Sequence, residues 1–224
     1  MPLILILVEC GIEIIPKQIR NHSAVKKKGS SKIYSTQLLD NALHHSAMKN
    51  LKDFIKRGRP DITHLCLLNA LGSPLNKSGN LVLYIHTIKG KIFQFNPEIR
   101  IAKNFNRFKG LMAKLLIDGE IKYNSTTLIS QFPGNLKQLI ESFDGPEILL
   151  FSSKGTLIKN YLEIFPKDIS KNIIAIVGGF QKSTFSKEIF SLSNKVLSIS
   201  NYPLEAWIVI NKVINYYEIY HNII

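Results

Sequence analysis

The chain has 224 residues, of which 45% are hydrophobic, and it carries a formal net charge of +13. This length and apolar content are typical of a folded globular protein and exclude an intrinsically disordered chain. No apolar segment approaches the roughly 20 residues that a membrane-spanning helix requires, so the sequence predicts a soluble protein.

The positive charge is concentrated in the first half of the chain. Residues 1–110 contain 18 Lys and Arg against 6 Asp and Glu, whereas residues 111–224 contain 11 against 10. Such a basic half attracts polyanions, which leaves RNA, DNA and an anionic membrane surface as candidates. Solubility or a lysine-rich proteome is the alternative explanation. The two cysteines, Cys10 and Cys66, lie in apolar runs and indicate buried free thiols in a reducing compartment.

The amino-terminal elements can be predicted in chain order. The apolar run 3–8 is typical of a central strand, and it differs from a signal peptide because no basic region precedes it and Glu9 interrupts it. The segment 25–32 has four lysines and no periodicity, which predicts a basic loop and the best candidate for disorder. Residues 36–57 have helical spacing and end at Gly58.

A second helix is predicted over 60–72, with Pro60 at its start. Arg59 and Asp61 therefore lie at a helix entrance, where an aspartate is favoured. The strands 81–87 and 91–95 flank a turn and predict a hairpin.

The remaining elements alternate between helices and strands. They are helices at 104–117, 131–143, 158–165 and 201–224, and strands at 147–151, 173–180 and 195–200. Pro203 suits the first turn of the last helix. This alternation predicts an α/β fold with a largely parallel sheet.

Gly178 and Gly179 end a predicted strand, where a backbone can approach a ligand closely. A tight turn is the alternative, since the sequence has neither a dinucleotide-binding glycine motif nor a phosphate-binding P-loop. His44, His45, His64 and Cys66 lack the spacing of a metal site, so we expect no metal. No serine lies in a nucleophile motif.

A second basic segment covers residues 96–110. Arg100, Lys103 and Arg107 alternate with Phe105 and Phe108, a mixture suited to phosphates and unstacked bases. The aromatic residues are also consistent with a helix core.

Five blocks in a fixed order resemble one enzyme family. They are "RGRPDITHLCLLNALGSPLNKSG", "LYIHT", "FNPEIRIAKNFNRFKGLMAKLL", "VGGF" and "LSISNYPLEAW". They are similar to the ribosome-biogenesis methyltransferases of the Nep/Emg type, which belong to the SPOUT class and methylate N1 of a pseudouridine in small-subunit ribosomal RNA. The blocks extend from about residue 40 to about residue 207, and the amino-terminal strand is also in place.

The resemblance implies a fold and an assembly. It predicts a single SPOUT methyltransferase domain over 1–224, with a C-terminal trefoil knot and an inserted helical and hairpin extension that binds RNA. Basic family-specific insertions are expected at about 25–60 and 80–120. The resemblance also implies an obligate homodimer that binds S-adenosylmethionine in the knot.

The resemblance also assigns site residues. The expected cofactor-binding residues are Leu150, Gly178 and Gly179 with the loop to Ser183, and Leu197, Ser198, Ile199, Ser200, Asn201 and Tyr202. The expected RNA-binding residues are Arg59, Asp61, Arg100, Lys103 and Arg107.

Asp61 has two interpretations, which can coexist. It braces Arg59 for RNA, or it only favours the start of the helix. Asp61 is the candidate proton acceptor, although a water is equally consistent with the sequence.

Departures from the family pattern weaken some assignments. Ala102 stands where the family usually has proline, Lys103 replaces an arginine and cannot bind a phosphate bidentately, and Gln181 and Ser183 stand where proline or glycine is common.

The predicted function is therefore methylation of a pseudouridine in a hairpin of small-subunit ribosomal RNA during ribosome biogenesis. A non-catalytic ribosome assembly factor and a bare RNA-binding module remain as alternatives. We expect a cytoplasmic, archaeal-like protein, which would be nucleolar in a eukaryote, and no membrane partner.

Overall fold

The computed structural model describes residues 2–26, 36–165 and 171–223. Within them the chain forms one sheet with the strand order β4-β5-β3-β2-β1-β7-β6-β8. The strands are β1 (Leu3–Cys10), β2 (Leu81–Thr87), β3 (Ile92–Phe95), β4 (Glu120–Tyr123), β5 (Thr126–Phe132), β6 (Glu147–Leu157), β7 (Ile173–Gly178) and β8 (Lys195–Ser198).

The sheet has a parallel half and an antiparallel half. The pairs among β2, β1, β7, β6 and β8 are parallel. The pairs among β2, β3, β5 and β4 are antiparallel. The prediction of an α/β fold with a largely parallel sheet is therefore confirmed, and the antiparallel strands extend it on one side.

Strand β1 lies inside the sheet and is buried along its whole length. Leu3, Leu5 and Leu7 belong to the core on one face of the sheet. Ile4 and Ile6 alternate with them and belong to the core on the other face. This covering of both faces explains why β1 is a continuous apolar run rather than an alternating one.

Helices cover both faces of the sheet. They are α1 (Asn41–Met48), α2 (Pro60–Gly72), α3 (Pro74–Lys77), α4 (Phe105–Asp118), α5 (Leu136–Glu141), α6 (Lys187–Phe190) and α7 (Ala206–Tyr220). Helices α2, α4 and α7 pack on the face of Leu3, through Ile62, Phe108 and Ile210 among others. Helices α5 and α6 pack on the opposite face. Among the described residues, no helix is long and apolar enough to cross a membrane.

The predictions for the strand 3–8, the helix 60–72, the hairpin 81–95 and the helix beginning near 104 are confirmed. The prediction of one helix over 36–57 is wrong. Asp40 accepts a hydrogen bond from the Ala42 N–H and begins α1 there. The helix ends at Met48, and Asp53 then adopts the left-handed backbone conformation, with φ of 55°. The predicted basic loop 25–32 lies mostly outside the described residues.

Three further predictions are corrected by the structure. Residues 131–132 belong to β5, and the helix predicted from 131 begins only at Leu136, where Asn135 and Gln138 form a capping box. The helix predicted at 158–165 is a single 3-10 turn, Tyr161–Glu163. The last helix begins at Ala206, so Pro203 precedes it rather than lying in its first turn.

The ends of β6 and β8 cross at close range. Leu197 of β8 is paired with Phe151 and also with Thr156, because the register shifts between those two residues of β6. Gly155 lies at this crossing, and a Cβ on it would be 2.6 Å from the Leu197 backbone nitrogen. A side chain at position 155 would therefore force the two segments apart.

Candidate functional site

A cavity of about 270 Å³ opens at the carboxyl ends of β6, β7 and β8. Ligands in parallel α/β sheets bind beyond the carboxyl ends of the strands, because the connecting loops diverge there. The wall combines strand ends, the loop that follows β7, the loop that follows β8 and the start of α7. A size of this order suits a small organic molecule.

Apolar residues and hydroxyl-bearing serine and threonine residues make up most of the cavity wall. Phe151, Val177 and Phe180 supply apolar surface, and Phe180 meets Phe185 edge to face with ring centroids 5.4 Å apart. Lys154 and Lys182 are the two cationic residues among the described lining residues. The wall therefore offers aromatic surface, backbone hydrogen-bonding groups and positive charge for an anionic group.

The structure places seven of the ten predicted cofactor residues in this wall. They are Gly178, Ser183, Leu197, Ser198, Ile199, Ser200 and Tyr202.

The other three lie elsewhere. Leu150 is fully buried in the core on the opposite face of the sheet. Asn201 is exposed outside the wall. Gly179 donates its N–H to the Val8 carbonyl, at 2.7 Å.

Gly179 lies directly against Cys10, so that a Cβ at position 179 would overlap the Cys10 sulfur. This contact joins the end of β7 to the end of β1. Burial raises the pKa of the Cys10 thiol to about 12, so the thiol stays protonated and acts as a packing group. The glycine pair therefore has two roles, with Gly178 at the cavity and Gly179 in the core.

Arg59 and Asp61 form a bidentate ion pair at the start of α2. Arg59 Nε donates to Asp61 Oδ1 at 2.8 Å, and Arg59 Nη2 donates to Asp61 Oδ2 at 2.6 Å. The Asp61 hydrogen bonds raise the pKa of the Arg59 guanidinium further. Arg59 is the N-cap residue of α2, but no side-chain capping bond is present. The Asp61 carboxylate is thus engaged by Arg59, which is the bracing arrangement that the sequence suggested.

The second basic segment is attached to α2 through His64. The His64 Nε2 lies 2.8 Å from the Ala102 carbonyl oxygen. The His64 ring stacks on Phe108 at 4.3 Å and on Phe105 at 5.7 Å. These contacts hold residues 100–108 beside the helix that begins at Arg59. His64 is therefore a packing residue.

Arg100, Lys103 and Arg107 are all exposed. Within the described part of the chain their charged groups make no hydrogen bond or ion pair, so they are available to an external anion. The neighbouring Lys109 is engaged within the protein by contacts that sequence reasoning missed: its Nζ donates to Asp40 at 2.7 Å and lies 4.8 Å from the Phe105 ring centroid. The Phe105-Lys109 spacing of four residues on a helix was the signal that was overlooked.

Arg59 lies near the cavity. Its backbone nitrogen lies against Gly11, and the adjacent Cys10 contacts Gly179, next to the cavity residue Gly178. The charge of Glu205 also raises the pKa of Arg59, and Glu205 follows the cavity residue Leu204 directly. The described residues contain no cluster of His, Cys, Asp and Glu suited to a metal ion. Because Arg59 lies near this edge of the cavity, an anionic polymer bound to Arg59 would approach a small molecule in the cavity.

Comparisons with known proteins agree with this geometry. The model of the EMG1/NEP1 methyltransferase family matches residues 5–218. The ribosomal RNA small subunit methyltransferase Nep1 of Staphylothermus marinus is 44% identical, over 100% of this chain and 98% of that protein. The protein of the same name from Saccharolobus solfataricus is 40% identical, over 92% of this chain and 91% of that protein.

A solved structure is also similar over its whole length. It is the crystal structure of Archaeoglobus fulgidus Nep1 bound to S-adenosylhomocysteine. The TM-score is 0.86 at 32% identity, and the match covers 99% of this chain and 100% of that one. This chain belongs to the EMG1/NEP1 methyltransferase family.

Proposed function

We propose that the protein is an S-adenosylmethionine-dependent methyltransferase that modifies N1 of a pseudouridine in small-subunit ribosomal RNA during ribosome biogenesis. The observation that carries the proposal is the position of the cavity near Arg59: the Arg59 backbone lies against Gly11, and the adjacent Cys10 contacts Gly179, next to the cavity residue Gly178. Family membership supports the reaction class, and the relatives' names support the RNA substrate. The 32% identical neighbour is bound to S-adenosylhomocysteine, the product that the methyl donor becomes.

The cavity residues fit an adenosyl group. Backbone groups near Gly178 and Ser198 can hydrogen-bond a base and a ribose, and Phe180 supplies an aromatic wall. Lys154 and Lys182 can neutralise the carboxylate of the methionine moiety. This assignment explains why the sequence has no charged nucleotide-binding motif near β7.

The RNA site is assigned to Arg59, Arg100, Lys103 and Arg107, with Asp61 holding Arg59 in place. A guanidinium already fixed by a carboxylate loses less rotamer freedom when a phosphate or base arrives. A base taken out of its stack beside Arg59 has a short path to the cavity, because the Arg59 backbone lies against Gly11, beside the contact of Cys10 with Gly179.

The chemistry requires little from side chains. Bound S-adenosylmethionine supplies a sulfonium methyl, whose carbon–sulfur bond breaks as a carbon–nitrogen bond forms at N1, while the N1 proton is released. The protein aligns the two reactants and provides positive charge near the ring that loses the proton. Arg59 engages both oxygens of the Asp61 carboxylate, so we assign Asp61 to positioning Arg59 rather than to accepting the proton.

The proposed architecture is a single domain over 1–224 with a trefoil knot near its carboxyl end. The pairing of Leu197 with both Phe151 and Thr156 supports it, since the segment between those two residues then bends around β8. The basic insertions are proposed at about 25–60 and 80–120; the second contains β2, β3 and α4.

We also propose a homodimer. Ile208, Tyr216 and Ile219 occupy one face of α7, and Tyr161 stacks on Tyr216 with ring centroids 5.2 Å apart. Of these, Tyr161, Ile208 and Ile219 are exposed apolar side chains, which favours burial against a second copy. We place the activity in the cytoplasm, because the relatives are archaeal.

Two measurements test the proposal. Calorimetry with S-adenosylmethionine should give one site per subunit, and mass spectrometry of ribosomal RNA from cells with and without the gene should differ by one methyl on one pseudouridine. RNA binding without cofactor binding would favour the non-catalytic assembly factor.

A further inference from the structure

A buried ion pair connects the cavity wall to the segment that ends at Arg59. The Lys56 Nζ donates to Glu9 Oε2 at 2.7 Å, and the two side chains are only 10% and 8% exposed. The same ammonium lies 4.9 Å from the centroid of the Phe180 ring. Phe180 lines the cavity. Lys56 is therefore held between a strand end and a cavity residue.

The position of this pair requires an explanation, because a buried ion pair is rarely more stable than a well-packed apolar pair. Glu9 lies at the end of β1 and has a φ of 54°, so the strand leaves its regular path there. The Lys56 ammonium fixes the Glu9 carboxylate and the Phe180 ring at the same point. An ammonium is attracted to the face of an aromatic ring, so it fixes the orientation of Lys56 relative to Phe180 more specifically than apolar packing would.

The segment 56–59 also has little freedom to move. A Cβ on Gly11 would be 2.8 Å from the Arg59 backbone nitrogen and 3.0 Å from the Lys56 carbonyl oxygen. The Gly58 carbonyl accepts a hydrogen bond from the Asn41 N–H at 2.7 Å. A shift of Lys56 at one end is therefore transmitted to Arg59 at the other.

We propose that Lys56 is a positioning residue that couples the cofactor cavity to the RNA surface, through Phe180 on one side and Arg59 on the other. The inference rests on the proposed cofactor and RNA sites. A ligand against Phe180 fixes the ring, the ring fixes Lys56, and the segment 56–59 then presents Arg59 in one orientation. Each ligand tightens the binding of the other by the same factor, as thermodynamic linkage demands.

The chain contains a matched control. Lys109 makes the same kind of contact, with Asp40 at 2.7 Å and the Phe105 ring at 4.8 Å. Phe105, unlike Phe180, is not a cavity residue. The variants Lys56→Met and Lys109→Met thus each remove an ammonium from a carboxylate and a ring, but only the ring beside Lys56 lines the cavity.

The test is a binding cycle with S-adenosylhomocysteine and an archaeal 16S ribosomal RNA transcript. In the wild-type protein we expect saturating S-adenosylhomocysteine to tighten RNA binding about fivefold or more. Lys56→Met should weaken S-adenosylhomocysteine binding about three- to tenfold and reduce the coupling factor to one. Lys56→Arg, which keeps the charge over the ring, should restore the coupling to within about twofold.

Lys109→Met should keep the wild-type affinity for S-adenosylhomocysteine and the wild-type coupling factor. A thermal unfolding scan of each variant separates stability from coupling. If Lys56→Met does not fold, Phe180→Leu decides, because it removes the ring and leaves the ion pair; we expect it to lose the coupling.

The outcomes are distinguishable. A wild-type protein that binds neither ligand contradicts the proposed function. A wild-type protein that binds both without coupling, or a folded Lys56→Met or Phe180→Leu variant that retains the wild-type coupling factor, overturns the role of Lys56 alone.

Discussion

The Arg59 guanidinium and the Asp61 carboxylate form a bidentate ion pair, with Nε–Oδ1 and Nη2–Oδ2 distances of 2.8 and 2.6 Å. Their exposure differs: the Arg59 side chain is 19% exposed and the Asp61 side chain 41%. The pair is therefore partly open to solvent. We expect it to orient the Arg59 side chain and to add little to the free energy of unfolding.

The variant Arg59→Ala should weaken RNA binding about tenfold to a hundredfold, because it removes charge-assisted hydrogen bonds. Affinity for S-adenosylmethionine, measured by calorimetry, should change by less than about twofold, because effects of substitutions away from a site are usually small. Lys137→Ala is the control, since Lys137 is exposed on α5, on the opposite face of the sheet. An equal loss of RNA and cofactor binding would contradict the separation of the two sites.

The variant Asp61→Asn should keep the fold and release Arg59. We expect RNA affinity to fall about three- to tenfold, because the unbraced Arg59 side chain is mobile in the free protein and binding must then restrict its rotamers. The free energy of unfolding should fall by less than about 1 kcal/mol, since the carboxylate is partly exposed. Fluorescence anisotropy and chemical unfolding measure the two effects. Unchanged RNA affinity would leave Asp61 with only its role at the helix start.

Replacing both Arg100 and Arg107 by alanine should reduce the salt dependence of RNA binding. Each contact with a phosphate of a single strand contributes about 0.7 to the slope of log K against log salt concentration, so we expect a decrease of about 1.4. The double variant Lys137→Ala with Lys187→Ala removes the same charge from the opposite face and should leave the slope unchanged. An unaltered slope in the arginine variant would remove both arginines from the interface.

The variant Gly179→Ala should destabilise the protein by about 1–3 kcal/mol, because the added methyl group meets Cys10 in a packed core. It should also weaken S-adenosylmethionine binding, since Gly178 and Phe180 are its neighbours in the chain. Gly110→Ala is the control: it lies inside α4, where a Cβ meets nothing within 4 Å. That variant should stabilise the protein by about 0.5–1 kcal/mol. Equal free energies of unfolding for Gly179→Ala and Gly110→Ala would contradict the close contact between Gly179 and Cys10.

Stability should decrease at mildly acidic pH in part through His86. Burial lowers the pKa of His86 below its usual value of 6.5, although Glu9 and Glu188 oppose the shift. The folded state therefore binds fewer protons than the unfolded state between that lowered pKa and 6.5, so its stability falls as the pH falls through this window. Protonation of Nδ1 would also disrupt the hydrogen bond from the Glu9 N–H, at 3.3 Å.

His86→Gln should reduce the difference in unfolding free energy between pH 7.5 and pH 5.5, as measured by denaturant titration. The exposed His45→Gln should retain the wild-type difference. A wild-type pH dependence in His86→Gln would exclude His86 as the cause.

The sequence predicted those elements whose signals are local. Pro60 and Gly72 bound α2, and the apolar run of β1 follows from its burial on both faces. The β4–β5 hairpin escaped prediction because β5 is largely exposed or half-buried, so its alternation is weak.

The cavity depends on contacts between distant segments. Phe180 lies in the loop to Ser183 that the family resemblance assigned to the cofactor, but its contacts with Phe185 and Lys56 were not predictable from the sequence. The bracing of Arg59 by Asp61 was predictable because the two residues are only two positions apart. The ion pair of Lys56 with Glu9 was not, because it joins segments that only the folded sheet brings together.

The position of β1 has a consequence for synthesis on the ribosome. Among the strands of the sheet β1 comes first in the chain, yet Leu3 pairs with Ile173 on one side and with Leu81 on the other. At ordinary elongation rates its second partner emerges on the order of ten seconds or more later. Until then a fully apolar strand has one open edge, which is the kind of surface that aggregates. The nascent chain should therefore depend on a chaperone until β7 has left the exit tunnel.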